Sequence, residues 1–296
     1  LTSSVQHLRG PAIDRIRWDA AVAQDPTGLP YGLSWWLDAV TDGRWGGLVG
    51  DDYRWVLPLP YRRKFGRLTQ VQRPPFTQQC GPFGQVTGPD LALALQHLPA
   101  GTVQFALSLR EGFRTDDLPA GFNSRQRTNL VLDLSPPRPT LQTGFHRDLR
   151  RKLKKFGPAT LSLADIDTVV ALYRPSAGQK AGLKEHHYAR LLKLHRAAES
   201  RGLSLCYRLD EAEHGLLAAG FFPSYRGRII NLFAASSAAG YAREGMARLL
   251  AAILEKHGGP GKLFDFEGSD LPGVAEFFQS FGPEKREYLA LERKTF

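Results

Sequence analysis

The stretch Lys262-Leu263-Phe264-Asp265-Phe266-Glu267-Gly268-Ser269 alternates aromatic and acidic residues at period two, the signature of a strand with one buried face. On that reading Phe264 and Phe266 enter a core, while Asp265 and Glu267 share the opposite face. A helix from Leu271 to Phe281 follows, with Val274, Phe277, Phe278 and Phe281 directed inward. Ser269 or Asp270 is suited to cap it. Immediately upstream, Tyr241 to Lys256 carries the apolar stripe Met246, Leu249, Leu250, Ile253 and Leu254, and Gly258-Gly259-Pro260-Gly261 ends it. Before that, Gly215 to Phe222 and Arg228 to Ala235 predict an antiparallel hairpin turning at Pro223-Ser224-Tyr225-Arg226-Gly227. Leu203 to Leu209 predicts one more strand, and helices are expected at Ala164–Tyr173 and Lys184–Ser200. The second half therefore reads helix, helix, strand, hairpin, helix, strand, helix.

The first half is richer in turns. Trp55-Val56-Leu57-Pro58-Leu59-Pro60 predicts a strand running into a charged turn of Arg62, Arg63, Lys64 and Gly66. Pro74-Pro75-Phe76-Thr77-Gln78-Gln79 predicts a stiffened loop. Asn129 to Leu134 alternates like a strand with one buried face, and Pro136, Pro137 and Pro139 close it. A helix from Leu141 to Phe156 then places Phe145, Leu149, Leu153 and Phe156 on one face and Arg147, Arg150, Arg151 and Lys154 on the other. Gly157-Pro158 ends it and marks the expected boundary between domains 1–157 and 158–296.

A chain of 296 residues exceeds what one hydrophobic core usually supports, which also favours two domains. Its 42% hydrophobic and 23% charged residues exclude a disordered class. The sequence holds no run of apolar residues long enough to cross a bilayer and no signal-peptide pattern in its opening residues, so a cytoplasmic protein is expected. Cys80 and Cys206 are far apart and lack close ligand pairs, so neither a disulfide framework nor a metal site is expected. The net charge of +10 favours an anionic partner. Residues 1–160 hold 21 Lys plus Arg against 13 Asp plus Glu, and the remainder 18 against 16, which assigns the basic surface to the first half.

Asp265-Phe266-Glu267-Gly268-Ser269 with Gly273, Phe277, Phe278, Phe281 and Gly282 resembles the end of the second domain of FemAB-type proteins. Arg150-Arg151-Lys152-Leu153-Lys154-Lys155 is similar to the basic helix that closes their first domain. The Pro-Pro-Phe-Thr-Gln-Gln run and the strand Arg127-Thr128-Asn129-Leu130-Val131-Leu132-Asp133-Leu134 resemble an uncharacterised bacterial branch of the group. The resemblance implies an α/β (α+β) fold of two tandem GNAT-like domains, each a mixed, mostly antiparallel sheet flanked by helices. It implies an acyl- or aminoacyl-transferase that forms an amide on an amine acceptor in a groove between them, the second domain being the donor side. The donor would be an anionic small molecule or a tRNA-linked group, with acyl-coenzyme A or aminoacyl-tRNA as co-substrate and no tightly bound cofactor. The GNAT coenzyme loop corresponds to Ser236 through Gly245, with Ser236, Gly240, Arg243 and Gly245 as the cofactor candidates; here its glycines stand five apart, unlike the family pattern.

Amide formation from an activated acyl donor needs a neutral amine, a place for the oxyanion and close positioning of both substrates, but no covalent nucleophile. Asp265 and Glu267 are the catalytic candidates, as carboxylates that take the amine proton; holding the strand end is their alternative role. Arg150, Arg151 and Lys154 are candidates for a phosphate, against an ordinary solvated helix face. Thr77, Gln78 and Gln79 suit a sugar, peptide or amide acceptor, or equally their own turn. Asn231 suits a substrate amide, or simply a strand face. A catalytically degenerate binding protein and a nucleic-acid-binding module are the competing readings of the whole chain.

Overall fold

The computed structural model describes residues 4–64, 68–268 and 272–294. Packing divides the chain into two compact units, Leu1–Thr128 with Glu287–Phe296, and Asn129–Arg286.

The first unit holds β1 (Val5–Arg9), α1 (Arg15–Gln24), α2 (Ser34–Thr41), β2 (Trp45–Gly50), β3 (Trp55–Lys64), β4 (Leu68–Gln72), β5 (Phe83–Gly84), α3 (Gly88–Gln96) and β6 (Thr102–Ser108). Its sheet runs β1-β2-β3-β4-β6, antiparallel except for the parallel pair β4–β6, with β5 beside β3. Helix α1 starts where Asp14 accepts hydrogen bonds from the Ile16 and Arg17 amides, and α3 where Thr87 and Asp90 close a capping box. Strand β2 is buried along its whole length, and Gly47 and Gly50 allow this: a Cβ there would lie 2.2 Å from the Trp18 ring and 1.9 Å from the Trp55 ring. Arg62, Arg63 and Lys64 extend β3 opposite Leu68–Gln70, so the charged residues are strand and not turn; Gly66 lies outside the described residues.

Strand β7 (Asn123–Asp133) passes from the first unit into the second. The second unit continues with α4 (Arg138–Thr143), α5 (Arg147–Leu153), β8 (Thr160–Leu163), α6 (Ile166–Tyr173), a π-helical turn Arg174–Gly178, and α7 (Glu185–Glu199). Then come β9 (Cys206–Glu211), β10 (Gly215–Phe221), β11 (Ser224–Tyr225), β12 (Arg228–Ile230), β13 (Phe233–Ser236), α8 (Ala238–Ala242), α9 (Gly245–Lys256), β14 (Leu263–Asp265) and α10 (Pro272–Gln279). Strand β15 (Glu284–Lys294) returns the chain to the first unit, where Leu289 and Leu291 join its core.

The single helix expected at 141–156 is two, because the chain breaks at Gly144 and the His146 amide donates to the Ser280 carbonyl. Its apolar face is nonetheless the buried one, with Leu141, Phe145 and Leu149 in the core of the second unit beside Phe281. Residues 129–157, which the sequence assigns to the first domain, thus pack within the second unit. By these units the cations are also redistributed: 16 Lys plus Arg against 13 Asp plus Glu in the first, 23 against 16 in the second.

The expected hairpin is only half formed. Strand β10 pairs antiparallel with β13, Phe221 opposite Phe233 and Ala218 opposite Ser236. Strand β12 instead pairs parallel with β14, Ile230 opposite Asp265, in a different sheet. One predicted strand therefore serves two sheets and parts at Asn231-Leu232, where the Asn231 amide donates to the Asp265 carbonyl at 2.8 Å. In that second sheet β14 lies between β12 and the end of β7, and the other sheet runs β13-β10-β9-β8.

Candidate functional site

The parting of β12 from β13 opens a cavity of about 480 Å³ inside the second unit. Its walls are largely apolar, with Phe233, Phe266, Phe277 and Phe278 among them, and its polar side chains are Tyr173, Asn231, Ser236, Glu244 and Glu267, together with the exposed Tyr241. An apolar cavity with a few convergent polar groups is the usual form of a small-molecule site. The Asn231 Oδ1 atom is buried and has no hydrogen-bond partner among the described residues. An unmatched buried acceptor costs about 1–3 kcal/mol, so a bound N–H donor would relieve a standing penalty.

The two carboxylates are not equivalent. Asp265 is 0% exposed and forms an ion pair with buried Arg228 at 2.6 Å, while Asn129 donates to the same oxygen at 3.3 Å. Its other oxygen accepts the Glu267 amide at 2.8 Å. Asp265 therefore holds together β12, β14 and β7, which is the strand-fixing role, and Arg228 is the partner that sequence reading missed. Glu267 does not share its face as a strand alternation would require, because β14 ends at Asp265 and Glu267 takes a left-handed φ of 60°. That turn places Glu267 on the cavity wall. Ser269 and Asp270 lie outside the described residues.

Tyr173 lines the same cavity from the end of α6, with its ring stacked on Phe233 at 3.6 Å between centroids. Burial first, and then the charges of Tyr188 and Glu267, push its phenol above the ordinary tyrosine value. No sequence pattern singled out this residue, since a tyrosine closing a helix is indistinguishable from core before the π-helical turn is seen.

The coenzyme candidates are placed together but do not form an anion cradle. Ser237 caps α8 and its hydroxyl accepts the Gly240 amide at 2.9 Å, consuming one of the N–H groups a phosphate would need. Gly240 is pressed on the Leu217 carbonyl, where a Cβ would sit 1.8 Å away, and Gly245 is packed against Gly240 and Leu217. Arg243 is turned inward to Glu211, which Arg248 also clasps. Burial pushes the Glu211 carboxyl up, but the hydrogen bonds from Arg243 and Arg248 prevail and hold it below its usual value. Glu244 is the N-cap residue of α9, but its side chain makes no capping hydrogen bond and is paired instead with Lys152 at 3.1 Å. Ser236, Gly240 and Gly245 line the cavity.

Arg150, Arg151 and Lys154 are exposed, and with Arg147, Lys152, Lys155 and Glu244 they line a shallow depression of about 860 Å³. Glu244 belongs to the walls of both the depression and the cavity. Arg151 is also within 3.2 Å of Asp148. Thr77, Gln78 and Gln79 lie elsewhere, in the first unit, at 2%, 6% and 1% exposure. Trp36 Nε1 donates to Thr77, Gln79 donates to Gln78, and the Glu111 amide donates to Gln79. Their hydrogen bonds are spent on the turn. Cys80 and Cys206 are both buried free thiols. Among the described residues no group of three or more acidic, His or Cys side chains is arranged for a metal ion, and no helix is long and apolar enough to cross a membrane.

No protein-family model matches the chain, and no curated protein matches it significantly. Solved structures do. FemX is similar with a TM-score of 0.68 at 14% identity, over 96% of both chains. A C-terminal domain from Agrobacterium fabrum, named as that of a lysylphosphatidylglycerol synthetase, gives 0.53 at 13% identity over 94% of this chain and 91% of that one. A tandem GNAT protein from the clavulanic acid biosynthesis pathway gives 0.50 at 13% identity over 98% of each. The fold of this chain is therefore the FemAB-like arrangement of two GNAT-like domains.

Proposed function

We propose that the protein transfers an aminoacyl or related acyl group from a phosphate-bearing carrier onto an amine, with the cavity of the second unit as the reaction site. The observation that carries this reading is the buried Asn231 Oδ1, without a partner among the described residues, on the wall that also holds Glu267. An amine offers Asn231 the N–H it lacks, and the neighbouring carboxylate takes the proton that must leave before nitrogen can attack. No covalent nucleophile is required, and both cysteines are unsuited to the part, since burial pushes each thiol up to about 12.

The depression lined by Arg147, Arg150, Arg151, Lys152, Lys154 and Lys155 supports a carrier with several phosphates, because it meets the cavity at Glu244. The closely packed loop at Ser237–Glu244, where the Gly240 amide is already bonded to Ser237, argues against coenzyme A, so a tRNA-linked donor is favoured over acyl-coenzyme A. The test is calorimetric and thermal-shift titration of the full chain with coenzyme A, acetyl-coenzyme A, uridine nucleotides and bulk tRNA at two salt concentrations. Binding of tRNA that weakens steeply with salt is expected, with loss of at least tenfold in affinity on reversing charge at Arg150 and Arg151 and no change in melting temperature. Stabilisation by coenzyme A alone would overturn the choice of carrier, and silence with every ligand would leave a binding protein without this chemistry.

A further inference from the structure

The largely apolar wall of the second unit's cavity also restricts what the cavity can hold. Phe233, Phe266, Phe277 and Phe278 line it together with Leu232 and Met246, and among the described residues no Lys, Arg or His belongs to the wall. Its two carboxylates are both engaged: Glu244 is paired with Lys152 at 3.1 Å, and Glu267 is the group that meets the amine. The border of the cavity shows the same bias. Among the described residues four large hydrophobic side chains are exposed, Ile16, Leu163, Tyr241 and Val274, and the last two, at 65% and 38%, belong to this wall. Tyr241 stands on α8 and Val274 on α10, so two separate elements leave apolar surface to water beside one concave site. Such surface marks a ligand that covers it with apolar groups of its own.

We propose that the group transferred is an amino acid with a bulky apolar side chain, aliphatic or aromatic, seated against Phe233, Phe277, Met246 and Val274. The inference rests on the transferase reading above and adds the side chain that the site selects. Each methylene group moved from water into an apolar wall favours binding about fourfold, so a leucine or phenylalanine side chain gains about 100-fold over glycine. A lysine side chain would bring its ammonium to a wall whose carboxylates are already engaged, and a glutamate would meet two negative charges and no cation. The covalent change is the same for every side chain. The donor's ester C–O bond breaks, the C–N bond of the amide forms, and the amine proton taken by Glu267 ends on the departing oxygen. Ester and amine become amide and alcohol, and no further reactant is needed.

The test uses the full chain, glycinamide as the amine, and one tRNA body charged in turn with glycine, leucine, phenylalanine, lysine and glutamate, so that only the side chain varies. The expected kcat/KM is about 100-fold higher for the leucyl and phenylalanyl forms than for the glycyl form, with the lysyl and glutamyl forms no better than glycyl. Equal values across the set, or a preference for the glycyl, lysyl or glutamyl form, overturn the proposal and leave the transfer reading standing. Val274→Asp, a change at a position already exposed, should lower the ratio of phenylalanyl to lysyl transfer about tenfold. An unchanged ratio overturns the seating of the side chain on this wall. Calorimetric titration with phenylalaninamide and with glycinamide reads the cavity without turnover, and phenylalaninamide should bind at least about tenfold more tightly. That preference, with no transfer from any charged tRNA, would overturn the transfer reading while upholding the apolar selectivity; no preference and no transfer overturn both.

Discussion

Two groups of polar side chains, the buried Thr77–Gln79 turn of the first unit and the cavity wall at Asn231 in the second, differ in what they leave unmatched. In the turn, Trp36, Glu111 and the three side chains themselves supply the partners, and exposure falls to 6% or less. On the wall, Asn231 Oδ1 is buried with no partner among the described residues, and it borders a cavity. A buried polar group that is satisfied stabilises the fold, whereas one left unmatched costs free energy unless a ligand completes it. Asp265, clasped by Arg228 at 2.6 Å inside the sheet, and Glu267, two residues later on the cavity wall, differ likewise in where they are placed.

The comparison is most severely tested at Asp265. Asp265→Ala should destabilise the protein by about 3–5 kcal/mol, because it strands a buried guanidinium; equilibrium unfolding in urea reads the loss, and a change below about 1 kcal/mol would remove the structural role argued for the pair. Gln79→Ala should cost about 1–3 kcal/mol by leaving the Glu111 amide and Gln78 without a partner, with kcat unchanged; a loss of turnover at native stability would instead return that turn to the site. Asn231→Leu goes the other way. Replacing the unmatched acceptor with an apolar group of similar size should raise stability by up to about 1 kcal/mol while lowering turnover, and a destabilised but fully active variant would break the assignment.

Much of the second unit was legible from periodicity. Helices α6 and α7 and the apolar stripe of α9 lie where three- and four-residue spacing of apolar residues predicted them, since burying one face is a local pattern; α10 forms too and buries Phe278, but Val274, expected inward, is 38% exposed. The FemAB-like likeness was legible too, through Asp265-Phe266-Glu267 and the basic helix. What failed depended on distant partners. The break at Gly144 is fixed by the Ser280 carbonyl, and α9 begins at Gly245 instead of Tyr241 because α8 forms its own capped turn on Leu217. Strand β15 had no expectation at all; its burial pattern mixes exposed and buried positions, and residues from Glu287 onward join the first unit across the length of the chain.

The sequence by itself determined the class of fold, the acidic strand end and the row of cations, because composition, hydrophobic period and charge spacing are properties of neighbours along the chain. Tertiary structure alone decided that Arg228 neutralises Asp265, that Glu267 turns left-handed into a cavity, and that Tyr173 joins it there. Each of those outcomes follows from which strand lies beside which once β12 leaves β13, and sheet partners far apart in sequence carry no local signal.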